Sequence, residues 1–388
     1  MNELHDLLDR ATDRVGSPDL AGRALAGARR RRFVRSGVTV AAVAVVMVVV
    51  AVVGLNRPHR DSAPPVTPSP TTPTAPTRLG ALTRPPWDPR DVDQLAEAPQ
   101  GVAPGLPDVV APPATAPPLA DRPVDAAVLS LRGNDALLLL TPEGAWRSVP
   151  PPSRGTYGAV LSPDGTRLAV DTGTGVTAWA LPTGVRTDIP FPAGYASPSD
   201  AHSWAWIDDS TLLLDDPGTG SWTVNARSGQ ATRVPYPGDA LSWTVDSAGA
   251  VVESADVGAP AQIIDWASRP PRRVETGASG LRIGRLTSLQ ADADTIVGVS
   301  GSDVVVLDRG DLEPRHVLPL RDPEDSFGDG KAPVVALLAD ETVLVQVPVF
   351  GNQFSWRLVA WDPSSGRLTR VARGVGPVPA SYASGLLR

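Results

Sequence analysis

From about residue 124 the chain repeats one pattern six times. A short apolar run, a polar turn and a second apolar run are followed by a third run ending near an acid or a tryptophan. A repeat of roughly 40 residues with four short strands per unit is the sequence form of a β-propeller. The clearest copy is Ala159-Val160-Leu161-Ser162-Pro163-Asp164-Gly165-Thr166-Arg167-Leu168-Ala169-Val170. Its apolar arms flank Pro-Asp-Gly, where Pro presets φ for the turn and Gly accepts positive φ. The arms are rich in Val, Leu and Ala, as a sheet covered on both faces requires.

The same hairpin recurs around Gly133-Asn134-Asp135, Asp208-Asp209-Ser210, Asp246-Ser247-Ala248-Gly249, Asp292-Ala293-Asp294 and Ala339-Asp340-Glu341. Leu137, Leu168, Leu212, Val251, Ile296 and Val343 open the second strand in the six copies. A later strand supplies a second register, ending at Thr141, Ala180, Asn225, Asp265, Asp308 and Asp362. Both registers predict an all-β, six-bladed propeller. The long last interval is assigned to a loop through Arg321–Lys331. A seventh blade has room only in Gly105–Ala120, where five prolines argue against four paired strands. The tail Val378–Leu387 is free to pair with that stretch or with the first blade and so close the circle.

Leu161-Ser162-Pro163-Asp164-Gly165-Thr166-Arg167-Leu168-Ala169 and Ala360-Trp361-Asp362-Pro363-Ser364-Ser365-Gly366 resemble the WD40-like repeats of bacterial envelope propellers, the TolB-like group. The resemblance covers roughly Pro123–Arg373. It implies a propeller used for binding, without a fixed catalytic set. The Gly-His pair of eukaryotic WD40 blades is absent, so their histidine network is not carried over.

Ahead of the repeats, Val38–Leu55 is apolar and uncharged. Eighteen helical residues span about 27 Å, near the thickness of a bilayer's hydrocarbon core. Arg29, Arg30, Arg31, Arg32 and Arg35 precede it, and only Arg57 and Arg60 follow. The positive-inside rule then predicts a single-pass cell-membrane protein with a cytoplasmic N-terminus and an extracellular propeller. Arg30-Arg31-Arg32-Phe33-Val34-Arg35 also resembles a twin-arginine export signal, and a cleaved signal is the alternative to an anchor. All these readings export the propeller.

The expected organisation is a partly helical cytoplasmic tail (1–36), a transmembrane helix (37–55), a Pro/Thr-rich stalk (56–80), an irregular Pro-rich collar (81–122) and the propeller (123–388). At about 3.1 Å per residue the prolines of the stalk suit an extended spacer. In the tail, Leu4, Leu7, Leu8, Ala11 and Val15 share one helical face. So short a helix invites a cytoplasmic partner for residues 1–28, or is a solvated tail of marginal helicity. The layout resembles that of some actinobacterial anti-sigma-like membrane proteins, and the high Arg, Ala, Val and Pro content resembles actinobacterial composition. The His-Cys-Cys zinc set of the common anti-sigma domain is absent.

Composition excludes much chemistry. With no Cys there are no disulfides, thiolate metal sites or cysteine nucleophiles. Residues 1–36 carry +3 and the remainder −10, so the exported part is a poor binder of nucleic acid. Only His202 and His316 are available to a propeller site, and no Gly-x-Ser-x-Gly elbow occurs. Acidic pairs such as Asp208-Asp209 and Asp292 with Asp294 read as turn chemistry. Asp325-Ser326-Phe327-Gly328-Asp329-Gly330 lacks the Glu that closes a calcium loop. No catalytic, cofactor or metal residues are therefore named.

Ten Trp stand against five Phe and four Tyr. Trp204 and Trp206 share a strand face, so with His202 they are candidate ligand contacts, the alternative being packing between blades. The functional expectation is a binding, sensory or scaffold module for a protein, peptide or glycan. The alternatives are a propeller-type envelope lyase or hydrolase, and anti-sigma-like signalling through the tail.

Overall fold

The computed structural model describes residues 86–388 except 134, 152–158, 194, 196–203, 215–219, 235–239, 247, 256–261, 268–269, 276–285, 302, 322–332 and 350–354. The chain divides into two units, Met1–Thr74 and Ala75–Arg388, and the first lies wholly outside the described residues. So do Val38–Leu55, the amphipathic tail and the Asp325–Gly330 loop. No helix among the described residues is long and apolar enough to cross a membrane.

The second unit begins with a strap. A 3-10 helix, Pro89–Gln94, is capped by Asp88, whose carboxylate accepts from the Arg90 N–H. The short strand β1 (Val109–Val110) follows. Blade one supplies β2 (Leu129–Arg132), β3 (Leu137–Leu140) and β4 (Trp146–Val149). Blade two is β5 (Ala159–Leu161), β6 (Arg167–Asp171), β7 (Gly175–Ala180) and β8 (Val185–Pro190). Blade three is β9 (Trp204–Trp206), β10 (Thr211–Leu214), β11 (Ser221–Asn225) and β12 (Ala231–Val234). Blade four is β13 (Ala240–Val245), β14 (Val251–Ala255), β15 (Gln262–Asp265) and β16 (Arg272–Glu275). Blade five is β17 (Leu286–Ala291), β18 (Thr295–Ser300), β19 (Asp303–Asp308) and β20 (Pro314–Leu318). Blade six is β21 (Val334–Leu337), β22 (Val343–Pro348), β23 (Ser355–Trp361) and β24 (Leu368–Val375). A last strand, β25 (Pro379–Tyr382), precedes a 3-10 turn at Ser384–Leu386.

Each blade is a four-stranded antiparallel meander, giving six sheets among the described residues. The ring is closed by β25, which pairs with β2 and becomes the innermost strand of blade one. The expected pairing of the tail with the first blade is thus found, and no seventh blade forms among the described residues. Instead, β1 adds a fifth, parallel strand to the outer edge of β24. The strap runs along the outer strands: Trp87 bridges Leu320, Glu97 bridges Arg370 and Pro118 bridges Ser148. It therefore crosses from blade five over blade six to blade one.

Closure by β25 corrects one detail of the repeat. Leu137 and Leu140 lie on the same strand, β3, so the first copy counted one strand in both registers. The Gly133–Asp135 turn joins the second and third strands of blade one, whereas its counterparts elsewhere join the first and second.

Packing follows from period-two alternation with both faces covered. Leu137 and Leu139 pack toward blade two with Leu161 and Leu168, while Leu138 and Leu140 pack toward blade six with Leu344 and Leu358. Ile296 joins the cluster shared with blade four, and its neighbour Val297 that shared with blade six. One apolar cluster fills each of the six blade interfaces.

Candidate functional site

Six inner strands, each paired on one edge only, surround an axial cavity of about 270 Å³. Leu161, Ala205, Thr244, Gln290, Val334 and Ser381 contribute one lining residue from each. An unpaired strand edge leaves N–H and C=O groups to be satisfied. Neighbouring blades meet part of that need. The Leu161 N–H donates to Ser381 Oγ (3.0 Å), and Trp206 Nε1 donates to the Val160 carbonyl (3.0 Å).

One end of the channel is covered. After β25 the chain turns across the ring, and Leu387 is completely buried. The Gly385 N–H donates to the Pro163 carbonyl in blade two (2.9 Å), and the Arg388 guanidinium to the Ala291 carbonyl in blade five (3.4 Å). This covered end carries the turns that join first to second strands. Five of those turns are closed by an Asp that accepts backbone N–H bonds: Asp164, Asp208, Asp246, Asp292 and Asp340. The repeated carboxylates are thereby occupied by local geometry, as the turn reading of Asp208 and Asp292 expects.

Within the channel, Gln346 stands out. It interrupts the apolar strand Val343–Pro348 and is 4% exposed. Its Oε1 accepts from the Tyr382 hydroxyl of the adjoining blade (2.7 Å). Burial pushes the Tyr382 phenol well above its ordinary range, so it remains a neutral donor. Gln290 reaches the channel from a β-bulge between Thr287 and Gln290, where Ser288 adopts a φ of 52°. Bulges re-aim side chains in this way. No Asp, Glu, Lys, Arg or His is among the described lining residues.

Trp204 and Trp206 border this channel but are only 6% and 2% exposed. Their rings pack with Leu212, Leu214 and Ile189 between blades two and three. Trp204 Nε1 donates to the Tyr195 hydroxyl (3.1 Å), and the Phe191 ring lies tilted against Tyr195, centroids 4.7 Å apart. His202 lies outside the described residues. His316 is on β20, the outermost strand of blade five, away from the axis. No group of three or more His, Asp or Glu able to hold a metal occurs among the described residues.

Sequence reasoning passed over an ionic cluster at the covered end. Arg309 grips Asp265 through two bonds (Nε to Oδ2 and Nη2 to Oδ1, both 2.9 Å) and reaches Asp246 (2.5 Å). It also donates to the Asp292 carbonyl. All three side chains are nearly inaccessible. Burial by itself would raise the Asp265 carboxyl. Bonds from Arg309 and the Ala267 N–H, with the guanidinium charges, outweigh it and hold the group below its usual value.

No family model and no curated protein matches this sequence. Among solved structures it is similar to the RRP9 WD40 repeats, at 15% identity and a TM-score of 0.46, covering 67% of this chain and 82% of that one. It is similar to U3-55K at 14% identity and a TM-score of 0.44, covering 67% and 83%. It also resembles the extracellular domain of a protein described as a one component system of B. thetaiotaomicron, at 14% identity and a TM-score of 0.40. That match covers 63% of this chain and 29% of the other.

Proposed function

We propose that this chain is a membrane-anchored binding module, with its propeller outside the cell and its ligand taken in the axial channel of the ring. The observation that carries this reading is the axial channel: lined by all six blades, without a charged side chain among its described lining residues, and covered at one end by the chain's own Ser384–Arg388 segment. Propellers recognise ligands through such central funnels and need no catalytic set to do so. The lyase or hydrolase alternative calls for His and Asp converging on one mouth. His316 sits on an outer strand, and five Asp side chains are engaged in turn closure.

The anchor rests on Val38–Leu55 and the five arginines before it. Because the chain has no Cys, single-cysteine variants report topology without background. Thr67→Cys in intact cells is expected to react with an impermeant maleimide, and Ser17→Cys only after lysis. The reverse pattern overturns the orientation. Labelled protein released into the medium overturns the anchor.

Binding is tested by cross-linking intact cells and recovering the full chain beside a variant lacking residues 1–28. An external ligand retained by both forms supports the module. A cytoplasmic regulator recovered only with the full chain, and no external ligand, replaces this reading with signalling through the tail.

A further inference from the structure

The channel lining defines the chemistry of what it can hold. The cavity measures about 270 Å³. That is below the usual range of drug-sized pockets, so an occupant is small. Transfer of an ion into a site without countercharge among its described lining residues is costly, which disfavours charged ligands. The channel is nonetheless not apolar. Gln346, whose Oε1 is engaged by Tyr382, is one of its lining residues and keeps two amide N–H donors on Nε2. Gln290 and Thr244 line the same cavity. Gln346 and Thr244 are buried and Gln290 is half-buried, and amides and hydroxyls so placed demand hydrogen bonds from whatever fills the space. Together they offer both donors and acceptors in an uncharged setting, complementary to a molecule bearing several hydroxyl groups.

We propose that the axial channel binds one small uncharged polyol of sugar size, held by Gln346, Gln290 and Thr244. This rests on the reading of the propeller as a binding module and gives that site a ligand class. Tyr382 acts as a positioning residue, since its hydroxyl fixes the Gln346 amide so that Nε2 is presented to the ligand.

The test is calorimetric titration of the full chain in a detergent without a sugar headgroup, dialysed free of glycerol. The probes are glucose and N-acetylglucosamine, with glucuronate and glucosamine as charged comparators. Saturable one-to-one binding of a neutral sugar is expected, with the charged analogues at least about tenfold weaker. Gln346→Leu and Gln290→Leu should each weaken binding by about tenfold, the scale of one lost hydrogen bond in a buried site. Thermal melts establish that both variants fold, and Gln290→Leu decides the matter if Gln346→Leu does not. Tyr382→Phe should weaken binding less than Gln346→Leu.

No binding of either neutral sugar at millimolar concentration overturns the proposal. So does equal binding of glucuronate, or unchanged affinity in the folded variants. An external protein captured by cross-linking without sugar binding overturns the channel assignment alone. Absence of both overturns the binding reading as well.

Discussion

Arg309 occupies a position that other blades fill with apolar residues. Its N–H donates to the Asp294 carbonyl, as the N–H of Leu181 donates to Thr166 and that of Ala226 to Ser210. Leu181 and Ala226 are buried, so a guanidinium at this place must bring its own partners. Asp246 and Asp265 of blade four are those partners, and the three groups join blades four and five. Arg309→Leu leaves two buried carboxylates without their cation and is expected to lose about 3–5 kcal/mol, read from urea unfolding. The folded Asp265 carboxyl is held below its ordinary value. Its stabilisation is therefore complete above about pH 4, near the unfolded value, and is lost as pH falls through the folded one. Melting temperatures of the parent chain should fall in that acid range, and Arg309→Leu should flatten the limb. An equally steep limb in the variant would place the acid sensitivity elsewhere. Nothing in the sequence near Arg309 signals this pairing, because Asp246 lies 63 residues away. Gln346 was more legible, as the single polar residue in Val343–Val347.

At the scale of the element, the hairpins were readable because turn chemistry is local. An Asp stands in each of the five turns, and Gly takes the positive-φ position in two of them, at Gly165 (φ 70°) and Gly249 (φ 80°). The edges of blades were not readable. β1 is a two-residue strand in a proline-rich stretch, and it forms because Val109 and Val110 find β24 beside them. That pairing depends on Gly374, which lies opposite Val110 and against the Trp356 indole. A Cβ there would overlap the ring. Trp356 is wholly buried, with Nε1 donating to the Pro377 carbonyl (3.2 Å). Gly374→Ala should therefore destabilise the domain by about 1–3 kcal/mol through overpacking. Adding Trp356→Phe should recover part of that loss. Additive losses in the double variant would show that the two positions do not collide.

At the scale of the whole molecule, the ring is held shut by its two ends. β25 supplies the inner strand of blade one, while the strap crosses the outside of blades five, six and one. Leu129, Leu131 and Leu138 then share one apolar cluster with Leu344, Trp356 and Leu358. Deleting residues 378–388 removes that strand and uncovers both flanking interfaces. The expected outcome is loss of a single cooperative transition in urea, with early unfolding of blades one and six. A single transition only slightly shifted would mean that closure does not depend on β25. The sequence by itself determined the strand class, the hairpin turns and the sixfold repeat, since each depends on residues a few positions apart. It also placed Trp204 and Trp206 on one face, without deciding between packing and ligand contact. Tertiary structure decided that β25 closes the ring and that Gln346, Gln290 and Thr244 line one channel, with the largely buried rings of both tryptophans at its border. The physical reason is distance along the chain. Sidedness and turn formation are set by neighbours in sequence, whereas closure and the lining of a channel are set by strands from blades far apart in sequence packing around a common centre.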